Sequence, residues 1–135
     1  MCGLFGFIGS DLPDRELLHH IGTLAGSRGC HGYGWVTNLL DTPERPAKYR
    51  QVGMKDYDRN LQDLCWSMGT LSPWRHRSLI GHIRLATGSS YQDTASIQPL
   101  QHTKLPLAVA HNGTVYNLSD FVDPTSVAVD SEGIL

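Results

Sequence analysis

The residue with the most direct chemical promise is Cys2. Once the initiator Met1 is removed, which is common when the next residue is small, Cys2 carries a thiol and a free α-amine together. A thiol is already a few per cent ionised near neutral pH and is intrinsically a strong nucleophile. An α-amine with an ordinary pKa of about 7.7–8.0 is a base poised at working pH. One residue then supplies a nucleophile and its base with no histidine required. On position alone the plainer reading is a small buried or lipidated cysteine.

Three further segments carry matching chemistry. In Gly81-His82-Ile83-Arg84-Leu85-Ala86-Thr87 an arginine closes a predicted strand, with Thr87 placed to face a cleft. The planar guanidinium fork fits a carboxylate through two parallel hydrogen bonds, although most arginines are simply solvated. In Ala110-His111-Asn112-Gly113-Thr114 the Asn112 side-chain amide and the Gly113 backbone N–H form paired donors, suited to the oxyanion of a tetrahedral intermediate. Asn-Gly is ordinarily a hairpin turn, because both residues tolerate positive φ. In Val129-Asp130-Ser131-Glu132 the Asp130 carboxylate can accept from a substrate ammonium; alone it reads as a helix cap with acids in the first turn.

Elements of both periods must position these groups. Residues 4–8 are apolar and aromatic, end at Gly9, and predict a buried strand. Asp11-Leu12-Pro13-Asp14-Arg15-Glu16 is a helix start, with Leu17, Leu18, Ile21 and Leu24 on one face and a stop at Gly26. Three glycines in residues 28–34 argue against regular structure for long, and an extended pattern resumes over 35–40. Residues 41–46 form a turn-rich connection and 49–54 a short strand. Leu61, Leu64, Cys65 and Met68 mark a second amphipathic helix. Residues 78–85 predict a strand, and the near-continuous apolar run 105–110 a strand buried on both faces. Residues 114–116 extend or return from it, and 127–129 form a last short apolar run. This mixture of strands, hairpins and helices predicts an α+β or layered α/β design.

Composition bounds the function. At 135 residues the chain is one domain, with no repeats, low-complexity tract or linker. The formal charge of −2 offers no electrostatic footprint for nucleic acid or an anionic membrane. No apolar run approaches the roughly 20 residues of a membrane helix. Three cysteines are too few and too odd for a disulfide framework. The first basic residue is Arg15, so the start lacks the charged region of a secretory signal, and the cytoplasm is the expected compartment.

Taken in order, these motifs resemble the class II glutamine amidotransferases, the N-terminal-nucleophile (Ntn) amidohydrolases. The family's opening pattern is matched by Met1-Cys2-Gly3-Leu4-Phe5-Gly6, and its Arg-Gly segment by Arg28-Gly29-Cys30-His31-Gly32-Tyr33-Gly34-Trp35. The Gly81 to Thr87 motif, Gln98-Pro99, His111-Asn112-Gly113 and Asp130-Ser131-Glu132 follow in the family's order and span essentially the whole chain. The resemblance implies a four-layer αββα Ntn-hydrolase sandwich. It makes Cys2 the nucleophile and its own amine the base, with Asn112 and Gly113 as the oxyanion hole. It gives Arg84, helped by Thr87, the glutamine α-carboxylate and Asp130 the α-ammonium, while Arg28 braces the nucleophile. A site built on both charges should reject neutral amides, because unpaired buried charges are costly.

Cys30-His31 stands where many members carry an acid, so the sugar-phosphate and purine branches are not assigned. Family domains usually continue past the Asp-Ser/Thr-Glu element, so a minimal or truncated member is expected, or one completed by a partner subunit. The expected reaction is glutamine hydrolysis through a γ-glutamyl thioester on Cys2, with ammonia passed to a synthetase partner and no cofactor needed. Homo-oligomerisation is the other expected association. Two alternatives stand beside this: hydrolysis of a γ-glutamyl amide of another amine, and a non-catalytic regulatory subunit of the same fold. No metal is expected, since His19 and His20 point to different faces of a helix. The scattered Trp35, Trp66 and Trp74 make no stacking platform for bases. His82 and His111 read as structural hydrogen-bonding residues and Cys65 as core.

Overall fold

The structure is a computed structural model and describes residues 1–11, 13–39, 47–70, 77–86 and 92–135. Strands β1 (Gly3–Gly9), β2 (Gly32–Leu39), β3 (Ala47–Val52) and β4 (Arg77–Arg84) form an antiparallel sheet in the order β1-β4-β2-β3. Helices α1 (Arg15–Gly26) and α2 (Tyr57–Thr70) pack together on one face of it. A second, two-stranded sheet pairs β5 (Leu100–Gln101) with β6 (Ala108–Val109). The protein is thus a small α+β domain. The expected turn at 41–46 and Leu12 lie outside the described residues.

Period-two alternation decides the faces of the main sheet. Phe5 on β1, Tyr33 and Trp35 on β2, and Leu79 and Ile83 on β4 face the helices and are buried. Helix α2 meets them with Leu61, Leu64, Cys65 and Met68, all buried as their spacing predicts. Burial pushes the Cys65 thiol up to about 11, leaving it protonated and unreactive. Polar atoms in this core are paired: Asn60 Nδ2 donates to the hydroxyls of Tyr33 (2.7 Å) and Tyr49 (2.9 Å), and the Tyr57 hydroxyl donates to the Gly22 carbonyl at 2.6 Å.

Helix α1 begins where Asp14 caps it, its Oδ1 accepting from the N–H groups of Glu16 and Leu17. Its buried side is rotated from the expected stripe. Leu18, Gly22 and Ala25 face the core, whereas Leu17 and Leu24 are each 58% exposed. Small residues explain the rotation, because they admit the closest approach. A Cβ on Gly22 would stand 2.7 Å from Leu61 Cδ1, so only hydrogen there lets α2 close onto α1.

Two further expectations are corrected. The strand expected from residue 35 begins at Gly32, so the glycines of 32–34 are inside regular structure. They are needed for proximity: a Cβ on Gly34 would lie 2.7 Å from the Gln98 carbonyl oxygen and 2.8 Å from that of Tyr49. The segment leading into β5 therefore rests directly on the sheet face opposite the helices, and Arg50 pins it by donating to the Pro99 carbonyl at 2.8 Å. The buried strand expected over 105–110 shrinks to Ala108–Val109, with Leu105 and Leu107 exposed. His102 accounts for this, since its Nδ1 accepts from the N–H groups of Lys104 and Leu105 and folds them into a turn. Residues 114–116, expected to extend or return from that strand, are likewise not in a strand.

Register brings the chemistry to one end of the main sheet. Gly3 pairs with Ile83, and Gly32 pairs with Arg84. The residue before β1, the loop before β2 and the residues after β4 consequently meet there.

Candidate active site

Cys2 sits half-buried at this junction, held from three sides. Its backbone N–H donates to Asn112 Oδ1 at 3.1 Å. Its carbonyl accepts from Arg28 Nε at 3.2 Å. Its Sγ accepts from the Leu85 N–H at 3.3 Å and lies 3.7 Å from the Leu85 carbonyl oxygen. Met1 projects outward at 76% exposure, accessible for removal. The free amine so produced would keep one N–H on Asn112 and still hold a lone pair for the thiol proton.

The Asn112 contact also fixes that side chain. An N–H donor must meet the amide oxygen, which turns the Asn112 NH₂ the other way. Among the described residues neither that NH₂ nor the Gly113 N–H donates to a protein group. A Cβ at Gly113 would stand 2.5 Å from His111 Nε2, so a side chain there would displace the His111 ring.

Arg84 is 4% exposed on the sheet face opposite the helices. Burial draws its guanidinium below the ordinary value, and the neighbouring Cys2 and Asp93 partly offset this. The loop around it is fixed by His31, whose N–H donates to the Arg84 carbonyl (3.0 Å) and whose Nδ1 accepts from the Ala86 N–H (2.8 Å). Thr87 lies outside the described residues. Asp130 opens a short 3-10 turn, but its carboxylate does not cap it. Its Oδ2 accepts from the Val115 N–H at 2.6 Å, and its Oδ1 lies 3.3 Å from Ser131 Oγ.

Contacts thus join Cys2 directly to Asn112 and Arg28, and Arg84 shares their electrostatic surroundings. Asp130 is tied to the same segment as Asn112 and Gly113 through Val115. His111 makes hydrogen bonds, as its motif suggested. His82 does not: it is 1% exposed and, among the described residues, neither ring nitrogen has a partner. Burial, then the charges of Arg84 and His111, lower its pKa to about 4, so it is neutral at pH 7. Sequence reasoning gave no role to Gln98, Ser131 or His31. The motif spacing that held Gln98-Pro99 and Ser131 was the available signal.

Among the described residues, no three His, Cys, Asp or Glu side chains gather to hold a metal ion. No helix there is long and apolar enough to cross a membrane. The chain matches no family model, no curated protein and no solved structure.

Proposed function

We propose that the chain is an N-terminal-nucleophile glutamine amidohydrolase. The observation that carries the reading is the grip on Cys2, its nitrogen on Asn112 Oδ1 and its carbonyl on Arg28. With Met1 gone, the α-amine takes the thiol proton and the thiolate attacks the carboxamide carbon of glutamine. The developing oxyanion accepts from Asn112 Nδ2 and the Gly113 N–H, a pair of donors of which one alone is typically worth about 10²–10³ in rate. The ammonium formed at Cys2 then protonates the departing nitrogen, and ammonia leaves a γ-glutamyl thioester. Water activated by the same amine hydrolyses it to glutamate. Arg84, with Thr87, receives the substrate carboxylate and Asp130 its ammonium.

A four-layer αββα sandwich in the cytoplasm goes with this reading, the ammonia passing to a synthetase partner. Two features support that architecture: the β5–β6 sheet on the face opposite the helices, and the apolar Leu4, Ile8 and Ile80 exposed on that face. The test is glutamate release by protein whose mass shows Met1 removed, together with trapping of the thioester. Cys2→Ala should abolish turnover without altering the fold; turnover at the wild-type rate by that variant would end the proposal.

A further inference from the structure

Gln98, His111 and Ser131 close a ring of hydrogen bonds between the two halves of the site. Gln98 Oε1 accepts from the His111 backbone N–H at 2.6 Å, Gln98 Nε2 donates to Ser131 Oγ at 3.1 Å, and Ser131 Oγ lies 3.2 Å from His111 Nδ1. Counting protons settles every direction in it. The Gln98 NH₂ can only donate and the Asp130 carboxylate can only accept. The single Ser131 hydroxyl hydrogen therefore goes to Asp130 Oδ1, and its lone pairs receive Gln98 Nε2–H and His111 Nδ1–H. His111 therefore donates through Nδ1.

Burial gives the ring its stiffness. Ser131 is 1% and Gln98 7% exposed, so the Gln98–Ser131 bond is shielded from water, and the two bonds to His111 are partly so. One side of the ring holds the amide immediately before Asn112, the other an oxygen of Asp130. Beneath it, the Gln98 carbonyl rests on Gly34 of β2. We infer that Gln98 and Ser131 are positioning residues that fix the Asn112–Gly113 donors and the Asp130 carboxylate relative to each other through His111. The inference rests on the amidohydrolase reading above. Holding both in one rigid unit couples the grip on the substrate ammonium to placement of the reacting amide beneath the oxyanion donors, where a misplacement of about 1 Å can cost about 10²-fold in rate.

The test compares Ser131→Thr with Ser131→Val, two side chains of one shape that differ in the hydroxyl. Purified protein with Met1 removed is assayed for glutaminase kcat and KM, and separately for the rate at which iodoacetamide alkylates Cys2. Ser131→Thr should stay near wild type. Ser131→Val should lose up to about 10²-fold in kcat while Cys2 alkylation is unchanged. Equal kcat in the two variants, or alkylation falling in step with turnover, overturns the inference while leaving the amidohydrolase reading intact. A wild-type protein without glutaminase activity removes the reading itself, and the inference with it. If Ser131→Val does not fold, Gln98→Glu decides by the same two measurements: it keeps the acceptor for His111 but sets a carboxylate against Ser131. Turnover should drop with alkylation preserved, and undiminished turnover overturns the inference.

Discussion

Replacing Gly34 by alanine tests whether the site is built on the close approach of the Gln98 segment to the sheet. The added Cβ would meet the Gln98 carbonyl oxygen at 2.7 Å and the Tyr49 carbonyl oxygen at 2.8 Å. The Tyr49 oxygen belongs to β3, paired with β2, so the local β2–β3 spacing must open slightly as well as the Gln98 segment yielding. Restoring ordinary contact near 3.4 Å requires that segment to rise by about 0.7 Å, an overpacking that typically costs about 1–3 kcal/mol. Alanine also restricts the unfolded chain, which returns less than about 1 kcal/mol. The net expectation is a loss of about 1–2 kcal/mol, read as a lower urea midpoint at unchanged slope. Lifting the segment stretches the 2.6 and 3.1 Å bonds of the Gln98 amide, so turnover should fall together with stability. A midpoint at or above wild type with full turnover would refute this account of why β2 carries glycine there.

Two other expectations need only unfolding measurements. Asp14→Ala strips the cap from two N–H groups of α1 and should cost about 1 kcal/mol by thermal or urea unfolding; no change would mean the cap is replaced by solvent. His82 binds no proton in the folded protein until the pH nears about 4, whereas the unfolded chain takes one up near 6.5. The unfolded state thus binds more protons between these values, and stability falls as the pH drops through that window. At pH 5 the loss is about 2 kcal/mol relative to pH 7, and His82→Phe should remove that part of the pH dependence.

What the sequence made legible was what short-range pattern controls. The stripe Leu61, Leu64, Cys65 and Met68 lies wholly in the core, and the Gly3–Gly9 and Arg77–Arg84 strands run nearly as their apolar runs suggest. Failures came where a distant partner decided. Leu17 and Leu24 look like core, yet Gly22 and Ala25 are turned inward because α2 and β1 approach them closely. The apolar run after Lys104 loses to the ring of His102, which captures two backbone N–H groups. At the site, residue type and motif order singled out Cys2, Arg28, Asn112 and Asp130, whose contacts are now described. The roles of Gln98 and Ser131 depend on bonds across 13 and 33 residues, which no local pattern encodes.

Among the described residues, the strand that leads from Cys2 lies on the rim of its sheet, with β4 as its one neighbour. Rim strands fray first, because a smaller cooperative unit has to open. Here such peeling would carry the sulfur away from Leu85 and the nitrogen away from Asn112 in one movement. The Arg28 contact to the Cys2 carbonyl then acts as a rivet at the vulnerable end of an otherwise one-sided strand. The share of molecules competent at any moment is set by how rarely that end lifts, a quantity amide exchange at Gly3 and Leu4 can follow.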